Sequence, residues 1–78
     1  MKADDTLDCV GLYCPIPIVN TADRLKRMGV GQVLEVLADD EGIKTDMPAW
    51  CRVTGNEFLG LEEDAGKYRV YVKKSSSG

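Results

Sequence analysis

The hydrophobic pattern of the chain begins with a short alternating stretch and then changes its period. Apolar and polar residues alternate from Thr6 to Val10, which predicts a strand that ends before Gly11. Apolar residues then recur every three or four positions among polar ones, so we predict an amphipathic helix from about Pro15 to Met28. We expect Gly29 to end this helix in a left-handed conformation. The apolar positions of the helix are Ile18, Val19, Ala22, Leu25 and Met28.

The middle of the chain predicts a buried strand, a polar loop and a second helix. Residues 32–38 (QVLEVLA) are mostly large or β-branched and apolar, as in a central strand that is buried on both faces. The loop Asp39-Asp40-Glu41-Gly42 follows, and a helix is predicted from about Thr45 to Thr54. Its expected boundary residues are Thr45 or Asp46 as the cap, Pro48 in the first turn and Gly55 at the end. Its expected apolar side consists of Met47, Trp50, Cys51 and Val53.

Two further strands complete the predicted fold. Phe58 to Glu62 and Lys67 to Lys73 are joined by a turn at residues 63–66, which predicts a hairpin. The order β-α-β-α-β-β indicates an α+β protein, a two-layer α/β sandwich with two helices on one face of a mixed four-stranded sheet. We expect a single domain over residues 1–74 and a flexible tail over residues 75–78.

Length and charge limit the classes of function. A chain of 78 residues has room for one hydrophobic core. Ten basic and thirteen acidic residues give a net charge of −3, which argues against nucleic acid held through its phosphates. No apolar stretch approaches the roughly 20 residues of a membrane span, and the first residues lack the apolar core of a signal peptide. We therefore expect a cytoplasmic monomer that contacts neither nucleic acid nor membrane directly.

The cysteine and histidine counts narrow the chemistry further. Three cysteines, Cys9, Cys14 and Cys51, do not form a disulfide framework in a chain without a secretion signal. The absence of histidine excludes a Cys–His dyad and mixed Cys/His zinc sites, and three cysteines are too few for a four-thiolate zinc site. We therefore expect no metal and no cofactor.

The segment Cys14-Pro15-Ile16-Pro17 is the strongest candidate for chemistry. With Cys14 at the N-cap of the first helix, Pro15 and Pro17 fall in the first turn, where a missing N–H costs little. The positive helix pole, with the N–H groups of Ile16 and Ile18 free for an anion, would lower the pKa of the thiol and stabilise a persulfide anion. The alternative is a small half-buried cysteine beside prolines that serve only the backbone. Two prolines after the Gly11 loop and before an amphipathic helix favour the functional interpretation.

A resemblance to a known family adds to this interpretation. Residues 7–17 (LDCVGLYCPIP) are similar to the signature of the TusA/SirA family of small sulfur-carrier proteins, which contains a C-P-x-P motif. The similarity extends from about Leu7 to Lys74 in the family's order and spacing. It includes residues 31–36 (GQVLEV), Asp39-Asp40, residues 46–51 (DMPAWC) and residues 55–57 (GNE).

The resemblance implies a fold and a function. It implies a two-layer β-α-β-α-β-β sandwich in which Cys14 accepts sulfane sulfur as a persulfide and passes it to another protein, without being an enzyme itself. In the family, a cysteine desulfurase or a rhodanese-like protein is a typical donor. Acceptors include DsrE-like proteins on routes to tRNA thiolation, other thio-cofactors or sulfur oxidation. Asp40 matches an acidic family position implicated in sulfur transfer.

The sequence departs from the family pattern at three positions. Cys9 stands where many members have a small non-thiol residue, Tyr13 replaces a frequent arginine, and Ile16 replaces the glutamate often found inside the motif. The last two departures concern the partner surface and leave the carrier cysteine itself unchanged.

The remaining candidates each have a structural alternative. Cys51 is interpreted as core packing, whereas Cys9 is either core or a second thiol that resolves a Cys14 persulfide into a disulfide. Asp40 follows a strand at the edge where open α/β sheets place their sites, or it belongs to a solvated acidic turn. The expected partner or transfer surface consists of Ile16, Arg24, Arg27 and Asp40. The alternative function is a thiol-based redox or regulatory binding module that does not transfer sulfur.

Overall fold

The structure, a computed structural model, describes residues 2–75 and contains the six predicted elements in the predicted order. The elements are β1 (Asp5–Asp8), α1 (Ile16–Lys26), β2 (Val33–Ala38), α2 (Ile43–Thr54), β3 (Glu57–Asp64) and β4 (Lys67–Lys73). Of the predicted tail, residues 76–78 lie outside the described residues. The N–H of Ser75 donates to Oδ1 of Asn56 at 3.1 Å.

The four strands form one mixed sheet in the order β1-β2-β4-β3. β1 pairs in parallel with β2, with Leu7 opposite Val36, and the intervening α1 provides the crossover that a parallel pair requires. β4 lies between β2 and β3 and runs antiparallel to both. The predicted mixed four-stranded sheet is therefore confirmed.

One face of the sheet carries the core and both helices. Leu34, Val36 and Ala38 alternate along β2 and are fully buried, together with Val70 and Val72 of β4. The helices contribute Leu25 from α1 and Ile43, Met47 and Cys51 from α2 to the same cluster. On the opposite face, Glu35 accepts hydrogen bonds from the hydroxyls of Thr6 and Tyr71. This alternation produces the predicted two layers, because only one face of each strand is covered by helices.

The end of α1 differs from the prediction. The helix ends at Lys26, and Arg27 occupies the cap position in a right-handed conformation. The left-handed conformation predicted for Gly29 is wrong, because side chains of other residues form hydrogen bonds with the backbone groups that follow the helix. The N–H of Gly29 donates to Oε1 of Gln32 at 2.7 Å, and the Nζ of Lys74 donates to the carbonyl of Met28 at 2.8 Å.

The second helix begins two residues earlier than predicted. Gly42 occupies its N-cap position, so Thr45 and Asp46 are not the cap and Pro48 lies inside the helix rather than in its first turn. The loop turns directly into the helix because the N–H of Ile43 donates to the carbonyl of Asp40 at 3.2 Å. The predicted end is confirmed, since Gly55 is left-handed with φ 82°.

Two smaller predictions on the second half of the chain are also wrong. Val53 does not belong to the apolar side of α2, because its side chain is 85% exposed. β3 extends through Asp64, and its turn consists of Ala65 and Gly66, which both have positive φ, 52° and 81°. Two residues with positive φ are typical of the tight hairpin turn whose twist matches that of the strands. Neither helix within residues 2–75 is long and apolar enough to cross a membrane.

Candidate functional site around Cys14

Cys14 lies in the loop between β1 and α1, two residues before the helix begins. Pro15 takes the N-cap position and Pro17 is the second helical residue, so the N-cap position predicted for Cys14 is wrong. The Cys14–Pro15 peptide bond is cis. The N–H of Ile16, expected to be free for an anion, donates to the carbonyl of Tyr13 at 2.9 Å. Cys14 therefore does not occupy the anion-binding position at the start of α1.

Two consecutive aspartates hold the Cys14 loop in place. Oδ1 of Asp39 accepts the N–H of Gly11 at 3.0 Å, and Oδ2 of Asp40 accepts the N–H of Cys14 at 2.9 Å. Gly11 has φ 87°, a left-handed conformation that favours glycine. The backbone N–H of Cys14, followed by that of Gly42, lowers the pKa of Asp40, so this carboxylate is ionised at neutral pH. The loop after β2 thus fixes the loop that carries the thiol.

The start of α2, rather than the start of α1, is the neighbour of the sulfur. A Cβ placed on Gly42 would lie 3.4 Å from Sγ of Cys14 and 3.3 Å from Oδ2 of Asp40. The first distance is at the edge of ordinary van der Waals contact and the second is slightly tighter, so the sulfur and this carboxylate oxygen both lie close to Gly42.

The electrostatic environment of Cys14 is the opposite of the predicted one. Burial is the largest cause, and the nearby carboxylates of Asp46 and Asp40 act in the same direction; together they raise the pKa of Cys14 to about 12. The expected lowering of this pKa is therefore wrong. The reasons are the burial of the thiol, which is the larger cause, and the carboxylates, which disfavour a thiolate and lie where the sequence predicts a helix pole.

The α2 start does not compensate for these carboxylates. Its first N–H groups donate to carbonyl oxygens of the preceding loop and the cap: Lys44 to Glu41 at 3.0 Å and Thr45 to Gly42 at 3.2 Å. These N–H groups already have backbone acceptors, so they are not free to bind a sulfur anion.

The other two cysteines are buried in the core. Cys9 is 0% and Cys51 is 1% exposed, whereas Cys14 is half-buried and free. Burial raises the pKa of Cys9 and raises the pKa of Cys51 to about 11. Cys14 is thus the thiol with access to the surface.

The proposed partner residues do not all lie together. Ile16 is exposed beside Cys14, and Tyr13 before it is 75% exposed. Arg24 is engaged elsewhere, because its Nη1 forms an ion pair with Oδ2 of Asp5 at 2.8 Å. Arg27 lies eleven residues beyond Ile16, which at about 1.5 Å per residue places it roughly 16 Å further along the helix direction. The structure therefore groups Cys14 with Ile16 and Asp40 and separates it from the two arginines.

Within residues 2–75, no three cysteine, aspartate or glutamate side chains form a cluster that could hold a metal ion.

Comparison with known proteins identifies the family. The family model described as "Sulfurtransferase TusA" matches residues 5–74. The chain belongs to the TusA family. A sulfur carrier protein TusA of Allochromatium vinosum is 43% identical over 72 residues, which cover 92% of this chain and 95% of that protein.

Other relatives of this TusA-family chain are longer proteins. A putative sulfur carrier protein of Aquifex aeolicus is 42% identical over 76 residues, covering 97% of this chain and 39% of its own length. The putative sulfur carrier protein YrkF of Bacillus subtilis is 45% identical over 74 residues, covering 95% and 40%. The chain therefore spans about two fifths of the length of these two relatives.

A solved structure matches the fold of the TusA-family chain. The crystal structure of a SirA-like protein from Desulfitobacterium hafniense has a TM-score of 0.74 and 28% identity, and the match covers 92% of this chain and 99% of that one. This neighbour supports the two-layer α+β architecture.

Two residues near the Cys14 sulfur are not predicted as site residues from the sequence. The sequence places Gly42 at the end of a polar loop and Asp46 at a possible helix cap. Asp39 and Asp40, by contrast, lie just past the end of a buried strand, where open α/β sheets place their sites. Nothing in the local sequence indicated that Asp46 and Gly42 would face Cys14, because that contact joins two separate loops.

Proposed function

We propose that this chain is a sulfur carrier that accepts sulfane sulfur as a persulfide on Cys14 and relays it to an acceptor protein. The observation that carries the proposal is the position of Cys14. It is the surface-accessible thiol of a TusA-family chain, on a loop that Asp39 and Asp40 hold in place. The relatives named as sulfur carriers support the same role.

The chemistry of such a relay needs no cofactor on this chain. The Cys14 thiolate attacks the outer sulfur of a donor persulfide, a new S–S bond forms on Cys14, and the donor cysteine leaves as a thiolate. Delivery reverses the roles, with an acceptor thiolate attacking the outer sulfur and Cys14 leaving. The chain has no histidine as a base, so the Cys14 proton passes to solvent or to the partner. The carrier is not itself an enzyme in this scheme.

The partners proposed are those of the family. A cysteine desulfurase or a rhodanese-like protein would supply the sulfur, and a DsrE-like or other protein would accept it for tRNA thiolation, a thio-cofactor or sulfur oxidation. The exposed side chains of Tyr13 and Ile16 flank Cys14 and are suited to contact such a protein. The rigid motif is supported by Gly11, Pro15 and Pro17. We propose one domain over residues 1–74, acting as a monomer in the cytosol.

Intact mass spectrometry tests the proposal. The protein is incubated with a cysteine desulfurase, its pyridoxal phosphate and cysteine, and we expect an added sulfur atom that a reductant removes. Peptide mapping should place it on Cys14, and Cys14→Ser should carry none. A sulfur adduct on Cys9 or Cys51, or no adduct at all on the folded protein, would contradict the carrier function.

The alternative, a thiol-based redox sensor, has a distinct outcome. Sensor cysteines have a low pKa, whereas the pKa of Cys14 is raised to about 12. Rapid oxidation of Cys14 by dilute hydrogen peroxide, without any sulfur uptake from the desulfurase, would favour the sensor.

A further inference from the structure

The segment around Cys14 carries no charged side chain. Residues 9–22 contain no aspartate, glutamate, lysine or arginine, although 29% of the chain is charged. At that composition a segment of this length would contain about four charged residues. Three of its apolar side chains are nevertheless exposed, Tyr13 by 75%, Ile16 by 46% and Val19 by 53%. A group of exposed apolar side chains in an uncharged segment indicates a contact surface.

A hydrogen-bonded turn places two of these side chains on either side of the thiol. The N–H of Ile16 donates to the carbonyl of Tyr13 at 2.9 Å, so Cys14 lies between them within a four-residue turn. Oδ2 of Asp40 accepts the N–H of Cys14 at 2.9 Å and holds the turn from the loop after β2. Val19 lies three residues after Ile16, on the same face of α1. We call Tyr13, Ile16 and Val19 the thiol rim.

Sulfur exchange with another protein would cover the thiol rim. An S–S bond is about 2 Å long, so the reacting cysteine of a partner must come within a few ångströms of Cys14. Because Tyr13 and Ile16 flank Cys14 in the turn, the surface around the partner's cysteine lies against them. A charged group buried there would lose its hydration and find no opposite charge among residues 9–22, whereas an apolar group gains free energy from burial.

We propose that the thiol rim is the contact surface for the protein that exchanges sulfur with Cys14, and that this partner presents an uncharged, apolar surface around its own cysteine. The identity of the partner as a sulfur-exchanging protein rests on the proposed carrier function. The preference of the rim for apolar groups does not depend on that function. Association through such a surface is insensitive to salt, in contrast to association through charged side chains.

The first experiment measures this preference without any persulfide. Cys14 is converted to a mixed disulfide with thiopyridine, and cysteine tripeptides with blocked ends release the thiopyridone, which is followed by its absorbance. In this step the peptide thiolate attacks Sγ of Cys14, a new S–S bond forms, and the aromatic thiolate leaves and takes up a proton. One peptide has leucine on both sides of the cysteine, and the other has serine. Each rate is divided by the rate of the same peptide with dithiodipyridine in solution, which removes the intrinsic reactivity of the peptide.

The ratio of the two corrected rates is the decisive readout. We expect the wild type to favour the leucine peptide by about fivefold at low and at high salt, which corresponds to roughly 40 Å² of apolar surface buried in the contact. Tyr13→Ser/Ile16→Ser should remove this preference, whereas Tyr13→Phe/Ile16→Leu should retain it. Equal corrected rates in the wild type, or an unchanged ratio in the folded serine double variant, would overturn the proposal.

Val53→Ser is the matched control. Val53 is 85% exposed and lies near the end of α2, whereas the start of that helix is the part that approaches Cys14. The variant removes an exposed apolar side chain away from the thiol rim, so we expect the wild-type ratio. A loss of the preference in Val53→Ser would show that the ratio reports general surface hydrophobicity, which would also overturn the proposal.

Sulfur transfer and self-association separate the remaining outcomes. Persulfide-loaded protein is mixed with the same two peptides, and the loss of sulfur from Cys14 is read by intact mass, with the same preference expected. Failure of Cys14 to accept sulfur would refute the carrier function and with it the identity of the partner, whereas loading without a preference would refute only the apolar contact. In sedimentation we expect a monomer; a dimer of the wild type and Val53→Ser that Tyr13→Ser/Ile16→Ser does not form would assign the rim to a second copy of this chain and overturn the proposal.

Discussion

Gly42→Ala tests whether the close contact between Gly42 and Cys14 serves sulfur binding. Gly42 has φ −55° and ψ −25°, a helical conformation that alanine adopts without strain. The added Cβ would lie 3.3 Å from Oδ2 of Asp40 and 3.4 Å from Sγ of Cys14. The Asp40 oxygen must move by a few tenths of an ångström. Cys14 is affected as well, because Asp40 accepts the N–H of Cys14.

The expected stability change is small because two effects oppose each other. Alanine in a helical conformation stabilises a protein by about 0.4–1 kcal/mol through the unfolded chain. Crowding in a packed site typically costs about 1–3 kcal/mol, with the lower end expected where a half-buried loop can give way. We therefore expect the free energy of unfolding to change by less than about 1 kcal/mol. Sulfur uptake should suffer more, because a second sulfur on Cys14 needs space beside Gly42.

Comparing urea midpoints with sulfur-uptake rates separates the two effects. A penalty of about 1 kcal/mol on the loaded state would slow uptake by about fivefold. Gly60→Ala is the matched control, since a Cβ on Gly60 of β3 would have no heavy atom within 4 Å apart from its chain neighbours. This control should load sulfur at the wild-type rate.

Two results would contradict this reasoning. If Gly42→Ala takes up sulfur as fast as Gly60→Ala, the space beside Gly42 does not limit the loaded state. If Gly42→Ala unfolds at a much lower urea concentration, the glycine is required for folding, and its role in sulfur uptake cannot be argued from a rate.

Three further predictions concern the thiols and the motif. Cys14 should react with iodoacetamide faster than Cys9 and Cys51, which are 0% and 1% exposed. Faster labelling of Cys9 or Cys51, measured by peptide mapping, would contradict this prediction. Burial and the neighbouring carboxylates raise the pKa of Cys14 from 9.0 to about 12, so the unfolded chain loses this proton first. The protonated Cys14 thiol therefore contributes to the free energy of unfolding below about pH 9, and this contribution is lost towards about pH 12. Urea midpoints of the wild type and Cys14→Ser, compared across this pH range, should show the loss. Pro17→Ala should cost about 1–2 kcal/mol of stability, because the proline ring is fully buried; an unchanged urea midpoint would refute this.

The structure changes how the predicted role of Arg24 and Arg27 in the partner surface can be tested. Arg24 pairs with Asp5, so Arg24→Glu would place two carboxylates together and disturb the contact between α1 and β1. Arg27 is exposed and separate from Cys14. A test of charged docking on this helix therefore belongs to Arg27, with Arg24 left unchanged.

Local pattern was sufficient for the order of elements. The alternation of apolar and polar residues predicts the bounds of β4, because one face of that strand is buried. Gly55 predicts the end of α2, because a left-handed glycine ends a helix through the chain's own backbone. The bounds failed where another segment satisfied the backbone. At the end of α1, the side chains of Gln32 and Lys74 form the hydrogen bonds that a left-handed Gly29 was expected to make unnecessary. At the start of α2, carbonyl groups of the preceding loop accept the first N–H groups, so the helix begins at Ile43.

The candidate site divides in the same way. The sequence by itself singled out Cys14 as the candidate carrier thiol, because the C-P-x-P motif and the absence of histidine are properties of the amino-acid sequence. It could not determine the charge state of that thiol. Local reasoning placed a helix pole beside the sulfur, whereas only the tertiary structure brought Asp40 and Asp46 to it across 26 and 32 positions of the chain. A pKa depends on which charges lie within a few ångströms, and sequence distance carries no information about that separation.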